Sequence, residues 1–310
     1  MTNGTVETLK RAIPYIKLYR GKAFVVKVGG NVVRDRELLD SIAGDVTLLS
    51  MVGIRVVLVH GGGPQATEVC ERLGIEPRIV AGRRVTDEQT LEVAKMVYAG
   101  TINIDLLAAL RRQGSQAVGI SGVDGQLLTA HRRPKKRVRP APDEEEVTVD
   151  FGLVGDIEQV NAGFLDYLLD GGQIPVVSSL AADDEGSVYN VNADTVACEI
   201  AAALSAEKLL LLTDAAGLLE DPDDSSSLVS YTDIQGVEAL KEKGAIGGGM
   251  LPKVDACIRA LDRGVRRTHI LDGGRPGALL VEVFTNAGCG TMIVDSRERQ
   301  SYLAEIEHKR

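Results

Sequence analysis

Short runs of Val, Ile and Leu alternate along the chain with longer stretches in which apolar residues recur every three or four positions. The short runs predict buried strands at residues 23–28, 54–59, 117–120, 174–178, 208–213 and 268–271. The longer stretches predict helices at 37–52, 64–73, 87–98, 105–112, 162–169, 194–204, 233–243 and 251–262. This alternation predicts an α/β protein with a mainly parallel sheet that helices cover on both faces.

The composition is typical of a globular enzyme and narrows the classes of partner. The chain has 310 residues, 44% of them apolar, and a net charge of −9, which disfavours general binding to nucleic acid. No apolar run of about 18 residues predicts a membrane span, and the N-terminus lacks a signal-peptide core. Four widely spaced cysteines predict buried thiols in a reducing compartment, so the expected location is the cytoplasm.

Two glycine-rich segments follow predicted strands. Lys27 interrupts an otherwise apolar strand just before Gly29 and Gly30, and the next strand ends in His60, followed by three glycines and Pro64. Glycines at the carboxyl ends of parallel strands let backbone N–H groups approach an anion, and a following helix adds its positive end. Each segment alone could be a plain tight turn, and His60 alone is typical of a buried structural histidine. Together they predict an anion cradle.

Two further segments carry polar residues at helix starts. Asn190 and Asn192 alternate before Asp194, which we expect to cap the next helix, although a plain capped loop is the alternative. A glycine run from residue 247 leads into Lys253 at another helix start. Two lysines near glycines, with a carboxylate between them in sequence, suit phosphoryl transfer. The chain has too few histidines for a histidine-rich metal centre, so no protein metal site is expected.

The most irregular stretch is a basic run from Arg132 to Arg139, followed by acidic residues 143–146. Its own acids beside its bases favour a solvated hairpin or loop. A nucleic-acid patch and a contact with an acidic carrier protein are the alternatives.

Five motifs, in this order, resemble the N-acetylglutamate kinase branch of the amino acid kinase family. They are Lys27–Gly30, His60–Pro64, Arg84–Asp87, Asn190–Asp194 and Gly248–Lys253, and the resemblance covers about residues 8 to 295. It implies the amino acid kinase fold, a three-layer sandwich with a mainly parallel central sheet. It also implies a lobe at 21–190 that binds the acyl amino acid and a lobe at 191–310 that binds ATP.

The resemblance implies ATP-dependent phosphorylation of the γ-carboxylate of N-acetyl-L-glutamate, with Mg²⁺ on the ATP phosphates. Lys27 and Lys253 would stabilise the moving phosphoryl group, and Asp194 would organise both lysines. The other implied site residues bind substrate (Gly62, Gly63, Arg84, Asn190, Asn192), phosphate (Gly29, Gly30, Gly62) or nucleotide (Asp214, Gly217, Leu218, Ala245, Ile246, Gly247). The alternatives are a kinase for carrier-bound aminoadipate or glutamate, and a non-catalytic amino-acid sensor.

The first twenty residues place Val6, Leu9, Ile13 and Ile16 at helical spacing. The segment resembles the N-terminal helix that links three dimers into a hexamer in arginine-sensitive relatives. That resemblance implies inhibition by L-arginine at a site formed by Tyr15, His269, Glu282, Gly288 and Gly290. The alternative is a surface helix that packs only on its own domain, and Gly277, where such relatives often carry His, leaves this alternative open.

Overall fold

The computed structural model describes residues 2–139, 145–285, 288–296 and 298, and the side chains from residue 10 onward within these ranges. Sixteen strands occur in the described part: β1 Ala23–Val28, β2 Arg55–His60, β3 Ile79–Val80, β4 Arg83–Arg84, β5 Ala117–Ser121, β6 Leu128–Arg132, β7 Lys136–Val138, β8 Val147–Val149, β9 Gly155–Val160, β10 Ile174–Ser178, β11 Leu180–Ala182, β12 Val188–Asn190, β13 Lys208–Thr213, β14 Tyr231–Asp233, β15 Arg267–Asp272 and β16 Gly290–Val294.

Helices surround these strands. The α-helices of the described ranges are α1 Thr2–Tyr19, α2 Gly30–Arg34, α3 Arg36–Met51, α4 Gly63–Arg72, α5 Glu88–Ala94, α6 Asn103–Arg112, α7 Ala162–Asp170, α8 Ala193–Ala203, α9 Ile234–Glu242, α10 Met250–Asp262 and α11 Ala278–Phe284.

Eight strands form the central sheet, in the order β14-β16-β15-β13-β1-β2-β10-β5. All neighbours in it pair in parallel except β15 and β16. Side chains alternate between two apolar cores: Phe24 and Val26 of β1 join one, and Val25 joins the other. Because both faces of the central strands are buried, their sequences are continuous apolar runs. The predicted α/β sandwich with a mainly parallel sheet is confirmed.

The first and second halves of the chain meet in the middle of this sheet. Strands β1, β2, β10 and β5 lie before residue 191, where the second predicted lobe begins, and β13, β15, β16 and β14 lie after it. β1 pairs with β13 on one side and with β2 on the other. The carboxyl ends of β1 and β2, where the sequence predicts an anion cradle, therefore lie beside each other near the boundary between the halves.

One predicted break between helices is wrong. The expected helices at 87–98 and 105–112 are one continuous helical segment, because a π-helical stretch at Lys95–Ile102 joins α5 to α6. The segment Glu88–Arg112 is long and apolar enough to cross a membrane by composition, but half of its most apolar window is buried in the protein. Its side chains Leu91, Val97 and Leu106 belong to one of the two apolar cores, as expected of a core helix.

Helix α1 packs partly on the body of the protein. Ala12, Tyr15 and Ile16 contact the apolar core, whereas Ile13 remains 45% exposed. Ile13 and Ile16 therefore do not share one free face as the helical spacing predicts. Val6 and Leu9 lie outside the residues whose side chains are described. The role of residues 1–20 in oligomerisation stays a prediction.

Candidate active site

Two lysines from opposite halves of the chain converge on one buried carboxylate. Lys27 Nζ lies 2.8 Å from Asp194 Oδ1, and Lys253 Nζ lies 3.9 Å from Asp194 Oδ2. Lys27 and Asp194 are only 7% and 5% exposed. Lys253 also donates a hydrogen bond to the carbonyl of Gly249, which orients its side chain within the first turn of α10. The predicted grouping of these three residues is thus present in the structure.

The two lysines keep Asp194 ionised despite its burial. Burial alone would raise its pKa, but the charges of Lys27 and then Lys253 outweigh this effect and lower the pKa below its usual value. A carboxylate that holds two ammonium groups together fixes a compact patch of positive charge. Such a patch is suited to an anion that gains charge during a reaction.

The capping residue of helix α8 differs from the prediction. Asn192, not Asp194, is the N-cap, because its side-chain oxygen accepts hydrogen bonds from the N–H groups of Asp194 and Thr195 at 2.8 and 3.1 Å. The reason is spacing, since a cap side chain reaches N–H groups two or three residues ahead. This leaves the Asp194 carboxylate available to the two lysines.

The glycine segments after β1 and β2 pack against each other. A Cβ at Gly30 would lie 2.9 Å from Pro64 Cδ, and a Cβ at Gly62 would lie 2.4 Å from Ile102 Cδ1 and 2.7 Å from Tyr98 Cδ1. Tyr98 and Ile102 belong to the π-helical stretch, which brings their side chains under the second glycine segment. Only glycine fits at Gly30 and Gly62, so the backbone there stays open to a ligand. The sequence pattern does not indicate this π-helical stretch.

His60 is a structural residue, as its sequence position alone suggests. It is fully buried, its Nδ1 lies 3.0 Å from the Gly61 carbonyl, and its Nε2 lies 3.3 Å from Asn103 Nδ2. Burial lowers the pKa of His60 to about 4, with the Gly61 hydrogen bond opposing this effect. The ring is therefore neutral, donates through Nδ1 and accepts from Asn103.

A cavity of about 600 Å³ extends from this centre. Lys27, Gly30, Gly62, Gly63, Arg84, Asn190, Asn192 and Asp194 of the predicted site line it. Arg84 donates to the Gly63 carbonyl at 2.9 Å and to Thr67, and Asn190 donates to Thr86 Oγ1 at 3.1 Å. These contacts place one guanidinium and one amide on the same wall of the cavity as the second glycine segment.

The cavity lining is basic although the chain as a whole is acidic. Six Lys or Arg residues and two Asp residues line it. Four of them were not predicted as site residues: Arg83, Arg133, Lys136 and Arg259. Burial, and then the charge of Arg133, lower the pKa of Arg83. The excess of positive charge suits an anionic ligand.

The basic run of the sequence forms part of this wall. Strands β7 and β8 pair as a hairpin, and Arg133 forms an ion pair with Asp156 at 2.7 Å. The hairpin reading of residues 132–139 is confirmed, but the run also contributes Arg133 and Lys136 to the cavity. Residues 143 and 144 lie outside the described residues. Sequence spacing could not reveal the contribution because the contact is with distant segments.

The predicted nucleotide residues lie beyond the cavity, on the side of the second half of the chain. Asp214 follows β13 and accepts a hydrogen bond of 2.7 Å from Asn31. This hydrogen bond is the main cause that lowers the pKa of Asp214, and the charge of Lys253 is a smaller one. The side chains of Leu218 and Ile246 are buried in the same apolar core, and Thr291 accepts a hydrogen bond from the Leu218 N–H. Asp214 is thus bonded to Asn31, the residue after Gly30. Contact of Gly217, Ala245 and Gly247 with a nucleotide stays a prediction.

The residues predicted for arginine form a separate buried cluster. His269 Nδ1 lies 2.7 Å from Glu282 Oε1, Lys208 Nζ lies 3.0 Å from His269 Nε2, and the Cys289 N–H donates to Glu282 Oε2 at 2.8 Å. Burial, and then the charge of Lys208, lower the pKa of His269 to about 4. Lys208 also lies 5.3 Å from the centroid of the Tyr19 ring.

Two glycines and one tyrosine complete this arrangement. A Cβ at Gly288 would lie 3.5 Å from Glu282 Oε2, and one at Gly290 would lie 2.3 Å from the Ile270 carbonyl. The ring of Tyr15 stacks on that of Tyr19 with centroids 6.4 Å apart. The predicted residues are therefore neighbours, but Glu282 is already paired with His269. Binding of arginine there stays a prediction.

Comparison with known proteins agrees with this geometry. The profile of the amino acid kinase family matches residues 22–272. Acetylglutamate kinase of Archaeoglobus fulgidus is 48% identical over 288 residues, which are 93% of this chain and 98% of that protein. Acetylglutamate kinase of Acaryochloris marina is 47% identical over 93% of this chain and 97% of that protein. The chain therefore belongs to the amino acid kinase family.

Solved structures show the same fold. N-acetylglutamate synthase from Neisseria gonorrhoeae, complexed with coenzyme A and N-acetyl-glutamate, has a TM-score of 0.80 and 30% identity. The match covers 94% of this chain but 63% of that protein. Carbamate kinase from Giardia lamblia bound to AMP-PNP has a TM-score of 0.65 at 18% identity, over 89% of this chain and 99% of that protein. The carbamate kinase comparison concerns the fold alone.

Proposed function

We propose that this member of the amino acid kinase family transfers the γ-phosphoryl group of ATP to the γ-carboxylate of N-acetyl-L-glutamate. The observation that carries the proposal is the convergence of Lys27 and Lys253 on Asp194 at 2.8 and 3.9 Å, beside two glycine segments. Phosphoryl transfer depends mainly on position and on neutralisation of charge, which this arrangement supplies.

The proposed step needs no general base. A carboxylate is ionised at neutral pH, so it can attack the γ-phosphorus directly, form an acyl phosphate and release ADP. His60 is neutral, buried and bonded to Gly61 and Asn103, which agrees with a reaction that has no proton to remove. Lys27 and Lys253 would stabilise the charge on the transferring group, and the backbone at Gly30, Gly62 and Gly63 would donate hydrogen bonds to its oxygens.

The basic cavity supports an acidic amino acid as the acceptor. N-acetyl-L-glutamate carries two carboxylates, and Arg84 on the cavity wall offers the planar fork that binds a carboxylate through two bonds. Asn190, on the same wall, would hold the acetamide. The acetylglutamate kinase names of relatives at 47–48% identity, together with N-acetyl-glutamate in the synthase at 30% identity, support this choice of acceptor.

The nucleotide would lie on the other side of the lysines, near Asp214 and the loops around Gly217 and Gly247. The described residues contain no cluster of three His, Cys, Asp or Glu side chains suited to a metal ion. Mg²⁺ would therefore be held mainly through the phosphates of ATP, as is usual for this ion. Bound there, it neutralises phosphate charge.

The direct test is to trap the acyl phosphate with hydroxylamine, using Mg-ATP and a panel of acidic amino acids. We expect turnover with N-acetyl-L-glutamate and little with glutamate, aspartate or N-acetyl-L-aspartate. Turnover only with a carrier-bound aminoadipate or glutamate would favour the related carboxylate kinases. Binding of one of these amino acids without any turnover would favour a non-catalytic sensor of the same fold and contradict the proposal.

We further propose that L-arginine inhibits this enzyme and that residues 1–20 link dimers into a hexamer. The cluster of Lys208, His269 and Glu282 lies beside Tyr19 of α1, so a ligand there would contact both the helix and the body. N-acetylglutamate synthase from Neisseria gonorrhoeae, at 29% identity, was solved with coenzyme A and L-arginine. Arginine would act by favouring one of two global states.

Deletion of residues 1–20 tests this regulatory proposal separately. We expect the shortened enzyme to be active, smaller by light scattering and insensitive to arginine. A full-length protein that is a dimer and ignores millimolar arginine would show that the regulatory proposal is wrong, while the kinase proposal would stand.

A further inference from the structure

Gln65 joins the two glycine segments of the candidate active site. It lies in the first turn of α4, directly after Pro64, and its Nε2 donates a hydrogen bond of 2.6 Å to the Gly30 carbonyl. Gly30 begins α2 at the end of β1, so this bond spans from one segment to the other. A Cβ at Gly30 would also lie 3.6 Å from the Gly62 Cα, which shows how closely the two backbones approach.

The Gln65 side chain is poorly explained by stability alone. Its Oε1 is buried and has no hydrogen-bond partner among the described residues. A buried polar atom without a partner costs free energy, which offsets part of the stability that the hydrogen bond to the Gly30 carbonyl contributes. A side chain that carries this cost and bonds to a glycine of the candidate site points to a role in positioning that glycine.

We infer that Gln65 is a positioning residue, which fixes the Gly30 backbone relative to Gly62 and Gly63 so that their N–H groups face the same anion. The inference rests on the proposed kinase function. Gln65 acts through Gly30, whose carbonyl it holds, and not by contact with the reacting atoms. Loss of this bond should loosen the β1–α2 segment, and displacements of about 1 Å can reduce catalysis by about 10²-fold.

A second link between the same elements provides a matched control. Arg34 of α2 and Glu68 of α4 form an ion pair at 2.8 Å, but both side chains are 51% exposed and lie away from the cavity. If any link between α2 and α4 mattered equally, breaking this pair would have the same effect. If Gln65 acts by holding Gly30, only its own replacement should reduce the rate.

The experiment compares Gln65→Met, Gln65→Glu and Glu68→Gln with the wild type. Met keeps the length of the side chain without its hydrogen bond, and Glu cannot donate to the Gly30 carbonyl at neutral pH. We expect kcat to fall about tenfold or more in both Gln65 variants, with KM for both substrates within about threefold. Tm should change little in Gln65→Met, because loss of the hydrogen bond to Gly30 and removal of the unpartnered Oε1 oppose each other. Glu68→Gln should keep kcat within about twofold.

Amide hydrogen exchange supplies a readout that does not depend on turnover. Exchange in a peptide covering residues 24–34 should become faster in both Gln65 variants and stay unchanged in Glu68→Gln. Unchanged exchange, or a kcat within threefold of wild type, would overturn the inference. An equal loss of kcat in Glu68→Gln would also overturn it, because any link would then suffice. A wild type without turnover but with the expected exchange pattern would refute the proposed function and leave the positioning of Gly30 supported.

Discussion

Replacement of Asp194 by Asn tests the centre of the site most directly. The change keeps the shape of the side chain but removes the charge that holds Lys27 at 2.8 Å and Lys253 at 3.9 Å. With an effective dielectric constant of about 20, the Coulomb attraction between the Asp194 carboxylate and the ammonium group is about 6 kcal/mol for Lys27 and about 4 kcal/mol for Lys253. The cost of burying the carboxylate offsets most of this attraction, so the net loss is much smaller than the sum.

The net loss of stability caused by Asp194→Asn can still be bounded. Loss of one partner from a buried ion pair costs about 3–5 kcal/mol, because the other charge stays buried and unpaired. Lys253 is 19% exposed in its side chain, so water can solvate part of its charge, and we expect the lower end of that range. For a chain of this length the expected fall in Tm is about 5 °C at pH 7. The two lysines would also separate, so kcat should fall by about 10² or more.

The pH dependence of Tm provides an independent test of the role of the Asp194 charge. The pKa of Asp194 is lower in the folded state than its usual value, so its contribution to stability is present above the unfolded pKa. That contribution is lost as the pH falls through the folded pKa. The Tm difference between wild type and Asp194→Asn should therefore be largest near neutral pH and shrink below about pH 4.

The assay is thermal unfolding from pH 3 to 8 together with steady-state kinetics at pH 7. Asp255→Asn is the control, because Asp255 also lines the cavity but is exposed and pairs with Lys241 at 3.1 Å. An exposed pair contributes about 0–1 kcal/mol, so this variant should change Tm little. If Asp194→Asn matched the control in both Tm and kcat, the reasoning about the two lysines would be refuted.

Three further predictions concern other parts of the molecule. Lys27→Ala and Lys253→Ala should each lower kcat by about 10² or more, and a near-normal kcat would remove that lysine from the mechanism. Arg84→Lys should raise KM for the acyl amino acid much more than KM for ATP, since Lys lacks the planar fork. A KM for the acyl amino acid that is unchanged from wild type would show that another residue binds the substrate carboxylate. Burial raises the pKa of Asp45 to about 6, although hydrogen bonds from the Leu280 and Leu279 N–H groups oppose this effect. Because this pKa is higher in the folded state, Asp45 stabilises the fold at low pH, and this contribution is lost as the pH rises through about 6. Asp45→Asn should thus raise Tm relative to wild type at pH 7.5 but not at pH 4, and a constant difference across this range would contradict the pKa shift.

The sequence predicts six of the eight strands of the central sheet, because each of them is a continuous apolar run, whereas β14 and β16 were not predicted. β1 and β10 have the predicted bounds, and the expected strand at 54–59 begins and ends one residue later as β2. The smaller strands β6, β9 and β12 were not predicted. They carry exposed or half-buried polar residues and lie in a separate four-stranded sheet, so no continuous apolar run marks them.

The residues of the candidate site likewise fall into those that the sequence could indicate and those that it could not. Lys27, Gly30 and Gly62 could be found from sequence, because two glycine segments that both follow predicted strands, one of them beside a lysine, together predict an anion cradle. Arg133, Lys136 and Gln65 could not, because their relevance depends on which distant segments face them. Gln65 follows a recognisable motif, yet nothing in its neighbours along the chain indicates that it bonds to Gly30, 35 positions earlier.

The position of the reaction centre follows from how the chain halves share one sheet. Lys27 lies one residue before the end of β1 in the first half, whereas Asp194 and Lys253 lie in the first turns of α8 and α10 in the second half. β1 pairs directly with β13 at the boundary. A single buried carboxylate thus holds one lysine from each half, so any relative displacement of the halves changes the distance between the two ammonium groups. Because electrostatic stabilisation falls with distance, catalysis in such a site depends on how the halves are held together. Ligands that alter this arrangement from elsewhere in the molecule would therefore change the rate without touching the reacting groups.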